Sequence, residues 1–109
     1  MTLNEYQELS KRTIGTLTKE QAENHALHGM VSEIGELHAV YQKIYQGHEA
    51  NEEHMMRELG DLMWFVCEYC TAKGWELERV ARANVEKLKK RYPEGFDPEA
   101  SLHRSEGDD

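Results

Sequence analysis

Two short phrases carry the residues best suited to chemistry: Ser32-Glu33-Ile34-Gly35-Glu36-Leu37 and Arg57-Glu58-Leu59-Gly60-Asp61-Leu62. Each holds two acids three residues apart, with an apolar residue and a glycine between them. On a helix such acids take neighbouring positions on one face. Both pairs lie beside the apolar stripe of a long helical pattern, where a solvated face is not expected. A lone Glu-x-x-Glu usually faces water; two copies, each with an internal glycine, argue otherwise. Four carboxylates drawn together between two helices repel unless a cation sits among them. The pattern therefore predicts a cage of Glu33, Glu36, Glu58 and Asp61 around a divalent metal ion. Oxygen-only ligands favour hard ions such as magnesium, manganese or calcium. A ferritin-type di-iron bundle would add Glu-x-x-His pairs, and none of the six histidines has a glutamate three residues before it. A mid-helix glycine costs about 0.5–1 kcal/mol against alanine. Its repeated use at one place in the phrase predicts a close approach to the backbone at Gly35 and Gly60.

A second constellation follows downstream. Asn84, Lys87 and Arg91 are spaced i, i+3, i+7 and share one helical face. Asn84 falls where the stripe of Leu77, Ala81 and Leu88 calls for an apolar residue, so it is expected to point inward, where an amide needs partners. A lysine and an arginine beside it suit phosphate oxygens, although basic residues late in a helix also serve its dipole. Cys67 and Cys70 form a CxxC among Phe65, Val66 and Tyr69. A redox pair belongs at a strand-to-helix junction and a zinc site needs further ligands. These thiols are expected to pack as small apolar groups.

These residues must be held by helices. A first helix is expected from Leu3 to about Ile14, broken by Gly15. Thr18 with Gln21 makes a capping box for a second helix running to about Tyr45. Its stripe is Ala26, Met30, Ile34, Leu37, Tyr41 and Ile44. Asn51, followed by Glu52 and Glu53, starts a third helix. Its stripe is Met55, Leu59, Leu62, Val66 and Tyr69, thickened by Met56, Met63 and Phe65. Gly74 ends that helix. A fourth, from about Glu76 to Arg91, carries Leu77, Val80, Ala81 and Leu88 and stops before Pro93. No strand pattern occurs. The expected fold is all-α, a four-helix arrangement whose two long central helices pair antiparallel. The second helix would be roughly 40 Å long, in a domain whose compact radius of gyration is only about 13 Å. Helices of that length are expected to find partners in an oligomeric bundle.

Composition narrows the function further. The chain of 109 residues makes one domain, residues 1–93, followed by a polar, acidic tail, 94–109. A net charge of −8 argues against nucleic-acid partners, which need a basic surface. No apolar run reaches the roughly 20 residues of a membrane span, and the start Met1-Thr2-Leu3-Asn4-Glu5 lacks signal-peptide character. A cytoplasmic location is expected.

The motifs together, Glu33-x-x-Glu36, Glu58-x-x-Asp61 and Asn84-x-x-Lys87-Leu88-x-x-Arg91-Tyr92-Pro93, resemble the MazG-like nucleotide pyrophosphohydrolases. These belong to the all-α NTP pyrophosphatase superfamily, with dimeric dUTPases and dCTP pyrophosphatases. The resemblance spans nearly all of the chain from the second helix to Pro93. It implies a magnesium-dependent homodimer or homotetramer, with manganese as a substitute ion. It also implies cleavage of nucleoside triphosphates to monophosphate and pyrophosphate, a nucleotide-pool house-cleaning reaction. Glu33, Glu36, Glu58 and Asp61 are then the metal ligands, and Asn84, Lys87 and Arg91 the substrate contacts. Glu33 or Glu36 would orient or deprotonate the attacking water, a choice the residues leave open. Trp64, one turn after Asp61, is either a platform for the base or a core tryptophan. The rival reading is a non-catalytic metal-binding helical dimerisation module, which accounts for the acids but not for Asn84, Lys87 and Arg91.

Overall fold

The computed structural model describes residues 1–103. Five helices run through them: α1 Leu3–Ser10, α2 Lys19–Tyr45, α3 Glu52–Lys73, α4 Leu77–Arg91 and α5 Pro98–Leu102. A 3-10 turn, Lys11–Thr13, follows α1, and no strand occurs among the described residues. The all-α architecture with two long central helices is as expected.

Local chemistry sets most of the ends. The Gln21 N–H donates to Thr18 Oγ1 at 3.2 Å while the Thr18 N–H donates to Gln21 Oε1 at 3.0 Å, closing the capping box of α2. Asn51 Oδ1 accepts the His54 N–H at 3.0 Å and opens α3. Gly74, at φ 77°, ends α3 in the left-handed conformation that glycine adopts without strain. The first helix is shorter than its apolar pattern implies. The Ser10 hydroxyl donates back to the Gln7 carbonyl at 2.7 Å, and the chain tightens into the 3-10 turn. α5 lies inside the stretch read as a polar tail. Pro98 begins it, and Asp97 Oδ1 accepts the Glu99 N–H at 3.0 Å. Arg104, Glu106, Asp108 and Asp109 of that tail lie outside the described residues.

α2 and α3 pack antiparallel, their partners running in opposite directions along the two helices. Glu23 meets Lys73 at 3.4 Å, His25 meets Glu68 at 2.7 Å, Gly29 meets Phe65, and Glu33 meets Glu58 and Asp61. The buried seam is built of small residues: Ala22 and Ala26 from α2, Cys67 and Cys70 from α3. At Gly29 the helices come closest, since a Cβ there would lie 2.5 Å from the Phe65 ring. The glycine expectation is met in part at Gly60, whose carbonyl accepts from the Tyr6 hydroxyl at 3.3 Å, and within the chain it is not met at Gly35. A Cβ added at Gly35 or Gly60 would meet nothing within 4 Å among the described residues, so of the three only Gly29 must lack a side chain. The reason is register: Gly29 lies on the seam facing an aromatic ring, and Gly35 lies on the exposed side of α2.

The apolar stripes are also only partly covered. Ile34, Tyr41 and Leu59, expected in the core, are 43%, 53% and 51% exposed. Within the chain α2 packs mainly on α3, α1 covers part of α3, and α4 packs mainly on α1. Among the described residues nothing covers the remaining faces of the long helices. The radius of gyration, 17.2 Å, accordingly exceeds the about 13 Å of a compact domain this size.

Gln7 joins α1 to both neighbours. Its Nε2 donates to Thr71 Oγ1 at 3.2 Å and to the Trp75 carbonyl at 2.8 Å, and its Oε1 accepts the Leu77 N–H at 2.6 Å. Asn4 Oδ1 accepts the next free amide, Glu78 N–H, at 3.3 Å. The first turn of α4 is thus capped from α1 and not by its own N-cap residue.

Substitution at the two glycines separates packing from propensity. Gly29→Ala forces the Phe65 ring aside and should lower stability by about 1–3 kcal/mol, the usual range for overpacking. Gly35→Ala should raise it by about 0.5–1 kcal/mol. Thermal unfolding reads both, and a loss at Gly35 would reveal a second chain against that glycine.

Candidate functional site

The α2–α3 register brings Glu33, Glu58 and Asp61 together, with one carboxylate oxygen of each within 4.8 Å of the others. Glu58 and Asp61 sit three apart on α3 and so share a face, and Glu33 comes from α2, one turn after the Gly29 contact. Glu33 and Glu58 are partly buried and Asp61 is exposed. Glu36 stands outside this trio, exposed on the next turn of α2. Three of the four expected acids therefore converge in the chain, and the fourth borders them.

The electrostatics are those of crowded like charges. The Glu33 carboxyl is pushed up to about 7. A hydrogen bond with the Glu58 side chain is the largest cause, followed by burial and then by the charges of Glu58, Asp61 and Glu36. Glu58 Oε1 lies 3.0 Å from His54 Nε2, one turn earlier on α3. With Glu33 ionised, its Oε2 is buried and has no hydrogen-bond partner among the described residues. Such an orphaned oxygen costs free energy unless a proton or a cation satisfies it. The donor set fits a hard divalent ion: oxygen atoms only, from three carboxylates, one with an unsatisfied oxygen.

Around the acids α1 and the 3-10 turn form a brace. The Tyr6 hydroxyl donates to the Gly60 carbonyl at 3.3 Å, between the two acids of α3. Burial, then Cys67 and Asp61, raises the Tyr6 hydroxyl above its usual range. Trp64 Nε1–H donates to Thr13 Oγ1 at 2.6 Å, and its ring meets Tyr6 edge-on at 5.8 Å. In this chain the indole is thus engaged by α1 and the 3-10 turn. Cys67 and Cys70 are buried and free, and burial first, with Cys70 second, pushes the Cys67 thiol up to about 11. They pack as small apolar groups, as expected.

The basic face lies on a different element. Asn84 is exposed, contrary to the expectation of an inward amide, and Lys87 and Arg91 are partly buried. α4 packs mainly on α1, so the position of Asn84 in the apolar pattern does not translate into burial. The Arg91 guanidinium lies over the Tyr92 ring at 5.8 Å. The structure does not join this face to the acids by any hydrogen bond or ion pair of Asn84 or Lys87.

Across residues 21–96 the chain matches the family model of the MazG nucleotide pyrophosphohydrolase domain. The chain belongs to that family. No curated protein and no solved structure matches it. The MazG span contains all four acids and the face of Asn84, Lys87 and Arg91, while the brace of Tyr6 and Thr13 lies before it. His54 was missed in the sequence, although its i, i+4 spacing to Glu58 was a readable signal. Gln7 carried no such signal, since its partners are distant in the chain.

The Glu33 shift has a consequence for stability. The folded chain holds this proton more tightly than the unfolded chain does, so ionising Glu33 opposes folding. That penalty is absent below about pH 4.5, grows as the pH rises and is complete above about 7. The metal-free chain should therefore lose thermal stability across this window, and Glu33→Gln should abolish that part of the loss. Equal pH dependence in parent and variant would refute the coupling.

Proposed function

We propose that this MazG domain, residues 1–93, is a metal-dependent nucleoside triphosphate pyrophosphohydrolase that releases monophosphate and intact pyrophosphate. The observation carrying this reading is the convergence of Glu33, Glu58 and Asp61, together with a buried Glu58 oxygen that lacks a partner. These three, with Glu36 at the border, would hold magnesium or manganese. When bound, the ion supplies charge for the phosphate oxygens and acidifies water. The chain's own groups do the rest. Glu33 or Glu36 orients a water or takes its proton, and the water oxygen bonds to the α-phosphorus. The bond from that phosphorus to the α–β bridging oxygen breaks, and its electron pair leaves with pyrophosphate. Lys87 and Arg91 hold the departing pyrophosphate, Asn84 contacts the nucleotide, and Trp64 is the candidate base platform. The reading places the enzyme in cytoplasmic nucleotide-pool house-cleaning, as a homodimer or homotetramer. No helix among the described residues is long and apolar enough to cross a membrane. Residues 94–109 lie beyond the catalytic unit in this reading.

Exhaustive chelation should abolish hydrolysis, and magnesium or manganese should restore it. Glu36→Gln and Glu58→Gln should each lose turnover while remaining folded. Full activity in either would remove that acid from the site.

The bond broken is tested with labelled water: solvent oxygen should enter the monophosphate and not the pyrophosphate. Lys87→Ala should lower kcat/KM by roughly tenfold or more, the equivalent of about 1.5–3 kcal/mol for a charge-assisted hydrogen bond, with ion affinity unchanged. Label in the pyrophosphate would overturn the proposed geometry. No hydrolysis of any nucleotide would favour the non-catalytic metal-binding dimerisation module.

Assembly rests on the exposed Leu27, Val31, Ile34, Tyr41 and Leu59 along α2 and α3. Sedimentation at micromolar concentration should find at least a dimer, and a monomer would refute the assembly.

A further inference from the structure

We infer that His54 is a positioning residue for the metal centre, holding the Glu58 carboxylate so that its free oxygen faces the other acids. The inference rests on the proposed metal site and adds a residue to it.

The geometry begins at the start of α3. The backbone of His54 is fixed by the N-cap, where its N–H donates to Asn51 Oδ1 at 3.0 Å. Its ring then reaches one turn forward, with Nε2 3.0 Å from Glu58 Oε1. An ionised carboxylate can only accept, so Nε2 is the donor in this bond. The pair is not a solvated surface contact, since the Glu58 side chain is only 14% exposed and the His54 ring 38%.

A glutamate's terminal torsion is broad and roughly two-fold, so an unrestrained carboxylate can rotate. Fixing Oε1 by a hydrogen bond removes that freedom and leaves Oε2 as the available ligand atom. Oε2 is the buried oxygen without a partner. The two oxygens of Glu58 thus have separate tasks: Oε1 is held by His54, and Oε2 is left for an ion at the cluster that Glu58 forms with Glu33 and Asp61. Groups that orient ligating carboxylates in this way commonly change metal affinity by about 10–100-fold when removed.

A comparison of the two acidic phrases sharpens the assignment. Four residues before Glu33 stands Gly29, and four residues before Glu58 stands His54. The α2 position must be bare because the Phe65 ring occupies it. Only the α3 position is open to a side chain that can reach its acid, so the support for the site comes from one helix.

The test is manganese binding by the full chain, measured by calorimetry, with metal-free thermal stability in parallel. His54→Ala should weaken manganese binding by about tenfold or more, with little change in the metal-free melting temperature. His54→Gln, which keeps a donor near the Nε2 position, should restore affinity to within about threefold of the parent on that scale. A purely structural role would move the melting temperature and leave affinity intact. Should His54→Ala fail to fold, His54→Leu serves in its place against the same glutamine rescue. Parent-like affinity without the donor, or failure of glutamine to rescue, overturns the role of His54 while the metal centre stands. No manganese binding by the parent overturns the metal site and the role of His54 with it.

Discussion

The Phe65 ring packed against the bare backbone of Gly29 fixes how α2 and α3 meet, and the rest of the site depends on that register. A Cβ at Gly29 would stand 2.5 Å from the ring, so only a glycine admits Phe65 at this point of the seam. One turn further along α2 is Glu33, and one turn back along α3 is Asp61. The apolar contact therefore drives carboxylates together that would otherwise separate. Two like charges about 4 Å apart repel by roughly 1 kcal/mol in water and about 4 kcal/mol at an effective dielectric of 20. Packing of Phe65 and the small-residue seam offsets this. The raised affinity of Glu33 for its proton, owed first to a hydrogen bond with Glu58, then to burial and then to the neighbouring charges, accompanies that conflict.

The same helix pair shows how a carboxylate is buried when nothing else is asked of it. Glu68, 1% exposed, lies on α3 with Oε1 at 2.7 Å from His25 Nδ1. It stands as a single acid, and a histidine of the facing helix answers it. At the other end of the seam three acids meet, and the histidine that answers Glu58 comes from the same helix and reaches one oxygen only. Glu68 is placed as a structural carboxylate. Glu33, Glu58 and Asp61 meet instead as a cluster of carboxylates whose mutual repulsion a cation would relieve.

Legibility in the sequence followed the range of the interactions. Capping at Thr18 and Asn51 and the stop at Gly74 involve residues within four positions, and the boundaries they set were readable. The convergence of the acids on α2 and α3 was readable because a short loop leaves an antiparallel pair few registers. The glycines misled in part. Gly35 and Gly60 shared a phrase, which is a local signal, whereas Gly29 is explained only by a ring 36 residues away in the sequence. The apolar stripes identified faces of helices but not what covers them, so Ile34, Tyr41 and Leu59 were assigned to a core that one chain does not supply. Asn84 failed for a related reason. Its period is correct, but α4 lies on α1 and not in the central bundle.

That last displacement divides the site into two parts with different mechanical standing. The acids are fixed by the α2–α3 seam, a contact running the length of both helices. α4 is held chiefly at its first turn, where Gln7 and Asn4 of α1 take up the Leu77 and Glu78 amides. Beyond that turn Val80, Val85 and Leu88 are each at least 38% exposed, so among the described residues little covers this apolar face of α4. If Lys87 and Arg91 hold the pyrophosphate, as proposed, the grip on the ion is built into one chain. The grip on the nucleotide then draws on α4, whose exposed Val80, Val85 and Leu88 a second copy would cover. Ion affinity should then be a property of the folded chain, and nucleotide recognition a property of the assembled one.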